Sequence, residues 1–344
     1  MTAAVRIGLA GYGFGGRYFH APMLASATGC DFVGVVTRSA DRQALVTAEH
    51  PGLATYATLA DLAAAGAEAV AISTPAATHI ALVREALGLG LAVVCDKPFA
   101  LNADAARQTV ELAEALGVVL TVYQNRRWDA DFRTLQALVG AGSLGVLTRF
   151  ESRFERFRPA SGPGVAGGGT LLDFGSHLVD QALVLGGPVS RVYAEVSAPD
   201  SSALDDDVFV ALTHRGGLHS HLWGSWRQGA PGPRFRATGT TGTYVVAGVD
   251  GQEAALVGGG SPASYGQSWG VEAESAWGWV DRGPVREPVA SARGAWDGFY
   301  PAFAAAVRGE GPLPVDPWDA VRTATILDAA RVGAATGQVV TLPG

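Results

Sequence analysis

The chain has 344 residues, 48% hydrophobic and 17% charged, with a net charge of −7. That length predicts two domains with ample core material, and an acidic balance without a basic run argues against a nucleic-acid partner. Cys30 and Cys95 lie far apart, which fits a reducing compartment and offers no metal-ligand spacing. No apolar run is long enough to span a membrane, and no cleavable signal precedes the first strand pattern, so a cytoplasmic protein is expected.

Residues 5–10 read as a strand that runs into Gly11-Tyr12-Gly13-Phe14-Gly15-Gly16 and then into a helical segment ending near Ser26. A GxGxxG between a strand and a helix is the context that gives the motif meaning. Gly11 permits the tight turn, Gly13 lets the backbone approach a pyrophosphate, and Gly16 allows close helix–strand packing. The helix start offers unpaired N–H groups to the phosphates. Strands at 32–37, 69–74, 91–95 and 118–123 alternate with helices at 41–49, 59–65, 79–89 and 103–116. Strands without polar alternation, separated by helices, imply a doubly wound parallel sheet covered on both faces.

Ligands bind at the carboxyl ends of such strands. The expected cofactor residues are therefore Gly11, Gly13, Phe14, Gly15 and Gly16 in the loop, Thr37, Arg38 and Ser39, Thr74, Pro75 and His79, Asp96 and Lys97, and Asn125. After the second strand, Thr37-Arg38-Ser39 replaces the carboxylate that binds a ribose 2′-hydroxyl in NAD sites. An arginine flanked by hydroxyls suits a 2′-phosphate, so NADP(H) is expected over NAD(H). Asp96-Lys97-Pro98 follows a buried strand directly; Pro98 biases Lys97 toward an extended backbone and projects its amine at the cofactor edge.

Beyond Trp128 the pattern changes. A helix at 131–141 precedes a strand at 146–157 that alternates Phe150, Ser152 and Phe154 with Glu151, Arg153 and Glu155. Further strands are predicted at 191–197, 207–214, 218–226, 234–238 and 244–247. They form a second, mainly antiparallel, open sheet domain; the boundary is placed between 123 and 124. His219, His221 and Trp223 share one strand face. No third metal ligand accompanies the histidines, and the aromatic face suits homo-oligomer contacts. Trp269, Trp277 and Trp279 fall in an irregular stretch, either at the substrate cleft or buried for packing. Helices at 296–307 and 319–335 close the chain.

Between the first two of these strands, residues 170–185 form a helix apolar nearly all round, hence a buried one. Asp173, His177 and Asp180 fall on a single stripe at i, i+4 and i+7. Buried ionisable groups need partners, so the stripe is either a packing network or part of a site.

The strand–GxGxxG–helix start, Asp96-Lys97-Pro98, Gln124-Asn125-Arg126-Arg127-Trp128, Arg156-Phe157-Arg158-Pro159, Asp173-Phe174-Gly175-Ser176-His177 and Gly251-Gln252-Glu253 together resemble the glucose–fructose oxidoreductase/inositol dehydrogenase (Gfo/Idh/MocA) family over essentially the whole chain. Within it the chain is most similar to NADP-dependent scyllo-inositol dehydrogenases. One departure is Asp96 where family members usually carry Glu, which shortens the reach of that carboxylate. The resemblance implies a Rossmann domain, an antiparallel sheet domain, a cleft between them, and a closing helix that returns to the first domain.

It also places Lys97, Asp173 and His177 at the catalytic positions. His177 would take the hydroxyl proton, Asp173 would orient the imidazole, and Lys97 would hold the reacting oxygen; Lys97 and His177 could exchange roles. Lys97, Arg126, Arg127, Trp128, Arg158, Asp173, His177 and Asp180 are the substrate candidates, with Tyr300 a weaker one. The substrate is expected to be a polyol or sugar, best matched by scyllo-inositol. Another inositol, a hexose or a sugar acid, or a non-catalytic NADP-binding regulator, are the alternatives.

Overall fold

The computed structural model describes residues 3–200 and 203–343. In chain order, β1 (Val5–Ala10), a π-helical turn (Gly15–His20), α1 (Ala21–Ser26), β2 (Cys30–Val36), α2 (Ala40–Glu49), β3 (Ala54–Tyr56), α3 (Leu59–Ala64), β4 (Ala69–Ile72), α4 (His79–Gly88), β5 (Ala92–Asp96), α5 (Ala103–Leu116) and β6 (Leu120–Tyr123) come first. Their strands form one parallel sheet in the order β3-β2-β1-β4-β5-β6. The central strands are apolar on both faces because helices cover both: all of β4, and Val93, Val94 and Cys95 of β5, are buried. The order reverses between β1 and β4, which is where a doubly wound sheet opens its ligand crevice.

The helix after the glycine loop does not run uniformly to Ser26. It opens with a π-turn in which the Ala21 N–H reaches back to Gly16 O. Pro22 supplies no N–H and crowds the preceding turn, and a π-turn absorbs that mismatch.

The chain continues with α6 (Ala130–Gly140), β7 (Leu147–Glu155), α7 (Thr170–Gly186), β8 (Val189–Ser197), β9 (Asp207–His214), β10 (His219–Ser225), β11 (Phe235–Gly239), β12 (Thr243–Val246), α8 (Gln252–Val257), α9 (Pro262–Tyr265), β13 (Gly278–Arg282), β14 (Val285–Val289), α10 (Phe299–Val307), α11 (Pro317–Thr336) and β15 (Val340–Thr341). These strands make a nine-stranded sheet, β14-β13-β12-β11-β7-β10-β9-β8-β15. Every pairing is antiparallel except β7 with β10. The fold class is thus the expected one, a doubly wound parallel sheet plus an open, mainly antiparallel sheet.

Three features differ from the sequence reading. Residues 278–289 are a hairpin, not an irregular stretch; β14 is almost wholly exposed, so it carries no hydrophobic alternation to read. The compact units also interleave along the chain. One comprises the chain up to Asn125, Gln252–Trp269 and Ala295–Val321; the other comprises Arg126–Gly251, Gly270–Gly294 and the chain from Arg322 on. A single boundary after 123 marks only the first crossing. Trp269, Trp296, Phe299 and Phe303 are buried apolar groups of the parallel-sheet unit. Finally, only the first turn of α11 belongs with the parallel sheet. Ile326, Leu327, Ala329 and Ala330 sit in the core of the nine-stranded unit, so most of the closing helix packs there.

One face of the nine-stranded sheet carries α7, whose approach is admitted by Gly224 of β10: a Cβ there would lie 3.0–3.3 Å from Val208, Thr170 and Phe174. The other face shows a row of half-exposed rings. Phe209 lies 5.2 Å from Trp223, 6.0 Å from His221 and 6.5 Å from Tyr193, with the Arg153 guanidinium 3.9 Å over Trp223. Among the described residues no helix is long and apolar enough to cross a membrane.

Candidate active site

In the parallel-sheet unit the glycine loop is shaped by its neighbours. Gly11 has φ +95°, and a Cβ there would run into the Ser73 carbonyl and lie 2.9 Å from Thr74 Cγ2. A side chain at Gly16 would strike the Gly11 carbonyl. Around Gly13 the space is open, with the Arg42 guanidinium 3.9 Å from the position of a Cβ. The loop leaves room for a phosphate group over Gly13 and presents the first amides of a helical turn, which have no partner within the helix. These residues fit a dinucleotide.

The strand ends next to the loop are tied to their neighbours by backbone and side-chain bonds. Thr37 N–H donates to Tyr56 O, and Ser39 caps α2 by accepting from Arg42 N. Arg38 and Arg42 are exposed beside it. Arg42 escaped the sequence reading, which stopped at Ser39. The signal was there, since a residue in the first turn of α2 lies within side-chain reach of the strand end. Phe14 is exposed at the loop tip, near Tyr18 and Phe19. His79 is buried and bridges Thr74 O and Pro98 O, at 2.8 Å each, so both ring nitrogens are occupied by the protein. Pro75 is exposed and Asn125 buried at the end of the unit.

Lys97 is half-buried and joined to Pro98 by a cis peptide bond. Its backbone N–H donates to Asp96 Oδ1 at 2.8 Å. Asp96 Oδ2 accepts from Ser73 Oγ at 2.8 Å and lies 3.3 Å from His20 Nε2, a contact without the alignment of a full hydrogen bond. Burial works to raise the Asp96 carboxyl. His20, Lys97 and His79 together outweigh it and hold the group at about 2, with His20 the strongest of the three. The short Asp96 side chain is therefore engaged inside its own unit. His20 and Ser73 were not foreseen. Tyr300, a weak substrate candidate from sequence, is 1% exposed with its hydroxyl 2.5 Å from His20 Nδ1, which removes it from the substrate candidates.

In the nine-stranded unit, the triple glycine before α7 has a clear cause. Gly168 and Gly169 adopt φ +78° and +99°, and a Cβ at Gly169 would collide with the Asp205 carboxylate. That carboxylate accepts from Leu171 N at 2.6 Å, and Asp205 O accepts from the Thr170 hydroxyl at 2.7 Å. Asp205 thereby satisfies amide and hydroxyl groups at the helix start from outside the helix. Gly167 leaves space for Asp173, whose Cβ and Cγ lie 3.1 Å from where a Cβ would be.

Asp173 is partly exposed, whereas His177 and Asp180, one and two turns on, are 4% and 1% exposed. The His177 ring lies nearly parallel to Phe154, at 6.3 Å. Phe154 also stacks on Phe174 and has the Arg126, Arg156 and Arg234 guanidiniums within 4.9–5.3 Å.

Asp180 accepts a two-pronged pair from Arg127: Nε to Oδ2 at 2.8 Å and Nη2 to Oδ1 at 2.6 Å. Two substrate candidates thus hold each other, a geometry of high strength for buried charge. Arg126 is buried beside Asp129 at 3.3 Å, and its carbonyl accepts from Gln181 Nε2. Gln181 in turn accepts from Arg234, which is also 3.7 Å from Asp131. Burial pushes Asp131 up to about 7 against the pull of Arg234, and raises Asp129 well above its ordinary range against the pull of Arg126. Gln181 and Arg234, absent from the sequence reading, fix the segment that carries Arg126, Arg127 and half-buried Trp128 against α7. Arg158 stands apart: it is exposed, and among the described residues its side chain forms no ion pair of 4.0 Å or less.

Comparison with known proteins follows the same lines. A family model described as an oxidoreductase family with an NAD-binding Rossmann fold matches residues 5–124, and one described as the GFO/IDH/MocA C-terminal domain matches 132–245. The chain is 32% identical over 338 residues to the uncharacterized oxidoreductase YdgJ of Escherichia coli, covering 95% of this chain and 96% of that protein. It is 31% identical over 337 residues to the scyllo-inositol 2-dehydrogenase (NADP(+)) IolW of Bacillus subtilis, covering 95% and 92%. The solved structure of YPO2259 from Yersinia pestis superposes with a TM-score of 0.92 at 30% identity, over 100% of this chain and 99% of that one.

Proposed function

Since this chain belongs to the Gfo/Idh/MocA family of NAD(P)-dependent oxidoreductases, we propose that it transfers hydride between a secondary alcohol of a cyclic polyol and NADP(H), with scyllo-inositol as the best-matched substrate. The observation that supports this reading is a set of three ionisable side chains, Lys97, Asp173 and His177, in a chain that is 31% identical to IolW along nearly its full length. A bound nicotinamide supplies the hydride acceptor.

The proton is the protein's task. The His177 imidazole takes it from the substrate hydroxyl, which suits a group whose ordinary pKa is about 6.5. Asp173, one turn before, favours the protonated ring. The Lys97 ammonium donates a hydrogen bond to the same oxygen and stabilises the negative charge that develops there. Gly11–Gly16 receive the pyrophosphate, and Arg38 with Arg42 receives the 2′-phosphate.

The test is a panel of inositols, aldoses and sugar acids with NADP+, followed as NADPH formation. The expected result is fastest turnover with scyllo-inositol. A faster hexose or sugar acid would move the substrate while keeping the chemistry. Tight NADPH binding with no turnover on any member would favour a non-catalytic regulator. We further propose self-association through the ring-bearing sheet face of Tyr193, Phe209, His221 and Trp223, an aromatic patch of the kind interfaces bury. Mass in solution is expected to be that of a dimer or tetramer, and Trp223→Glu is expected to shift it toward the monomer. A monomeric wild-type mass would refute this.

A further inference from the structure

We propose that His20, anchored by Tyr300, is a positioning residue for the reaction. The buried imidazole lies between the Tyr300 hydroxyl and the Asp96 carboxylate, and that carboxylate holds the backbone N–H of Lys97 and the hydroxyl of Ser73 beneath the glycine loop. The proposal rests on the role given to Lys97 above and extends it to residues that no step of the reaction has so far used.

The geometry is specific. His20 ends the π-turn after the glycine loop and is 0% exposed. Its Nδ1 is 2.5 Å from Tyr300 Oη and its Nε2 is 3.3 Å from Asp96 Oδ2. The ring is held in place by Tyr123, 4.4 Å away at the end of β6. Asp96 spends one oxygen on Lys97 N and the other on Ser73 Oγ. A Cβ at Gly15 would lie 2.6 Å from Ser73 Oγ and 2.9 Å from Asp96 Oδ2, so the cofactor loop rests directly on this pair.

The donors and acceptors then form a directed chain. An ionised carboxylate only accepts, so Nε2 carries the proton that faces it. On the other side of the ring Nδ1 is hydrogen-bonded to the Tyr300 hydroxyl. That hydroxyl keeps its proton because burial, followed by Tyr123, Asp96 and Cys30, raises it well above its ordinary range. One buried line thus runs from α10 through the π-turn to the end of β5. A group with no solvent contact and polar atoms on both sides costs stability unless it is satisfied, which gives its position a reason beyond packing.

Charged and titratable groups facing Asp96 are His20 from the π-turn, Lys97 and Cys95 from β5 and its turn, and His79 from α4; those facing His20 are Asp96, Tyr300 and Tyr123. Replacing His20 removes the strongest of the groups that favour the ionised carboxylate and leaves burial in place. His20→Leu is therefore expected to raise the Asp96 pKa by about one pH unit or more.

The experiment combines two readouts on the full chain. Carboxyl carbon NMR of aspartate-labelled protein, with Asp96→Asn to assign the signal, follows Asp96 directly and needs no turnover. Wild-type Asp96 is expected to remain ionised through the acid range in which the fold survives, and in His20→Leu to titrate at higher pH. Steady-state kinetics is expected to show kcat down about tenfold or more, NADP+ dissociation changed by about threefold or less, and a new acid limb in the pH profile that Asp96→Asn lacks. His20→Gln, which keeps an N–H near Nε2, is expected to recover part of the loss.

If His20→Leu does not fold, Tyr300→Phe removes one oxygen only, and the Asp96 shift is expected in the same direction but smaller. An unmoved Asp96 signal in the folded variants would overturn the proposal, whatever the kinetics. A moved signal with Lys97→Ala fully active would leave the network standing and overturn the role assigned to Lys97 instead.

Discussion

Alanine at Lys97 or at His177 is expected to lower turnover by about a hundredfold or more, the scale of losing a positioned proton-transfer or charge-stabilising group. The two losses have different structural settings. Lys97 is half-buried, and its turn is held by Pro98 and by the backbone N–H on Asp96 Oδ1, so Lys97→Ala removes the amine and keeps the turn. His177 is buried against Phe154, so His177→Ala also opens a cavity. His177→Asn fills much of that space without an ionisable ring and separates chemistry from packing. Thermal melting checks that each variant is folded. If both groups act on one oxygen in one step, the double variant is expected to be little worse than the poorer single one. Near-normal kcat in a folded Lys97→Ala or His177→Asn would remove that residue from the mechanism.

The second large effect concerns the cofactor. Arg38 and Arg42 are the exposed cations beside the Ser39 cap, and Arg42 reaches to within 3.9 Å of the space over Gly13. Each charge-assisted contact to a phosphate contributes about 1.5–3 kcal/mol, which is roughly tenfold to a hundredfold in affinity. Arg38→Ala and Arg42→Ala are therefore each expected to raise the KM for NADP+ by about tenfold or more while leaving that for NAD+ within about twofold. Wild-type protein is expected to prefer NADPH at equal concentration. The measurement is kcat/KM for both cofactors in all three proteins. A wild-type preference for NADH, or equal loss with both cofactors, would contradict the assignment.

Much of the fold was legible because its signals are local. The glycine loop, the apolar runs of β4 and β5, and the buried character of α7 all announce themselves within a dozen residues. The glycines before α7 were visible as a motif, but their cause was not: Gly169 is needed because Asp205, 36 residues on, fills the place of a side chain. The same holds for the charged stripe. Asp180 was visible at helical spacing from Asp173 and His177, yet only the folded chain brings Arg127 onto it.

What sequence could not supply are pairings between distant elements. Tyr300 is 280 residues from His20, and no periodicity links them. The return of residues 295–321 to the parallel sheet, and of α11 to the other core, depends on which apolar face finds which cavity. The β13–β14 hairpin escaped for the opposite reason, since an exposed strand leaves no hydrophobic alternation.

In the proposed reaction a polyol carbon gives up its hydrogen to the nicotinamide. The most direct measurement uses scyllo-inositol carrying deuterium on its ring carbons, with NADP+ and the wild-type protein, and mass analysis of the NADPH formed. The NADPH is expected to carry one deuterium and to form more slowly than from the unlabelled polyol wherever that transfer limits the rate. Unlabelled NADPH, or no NADPH from this or any other polyol or sugar tested, would contradict it.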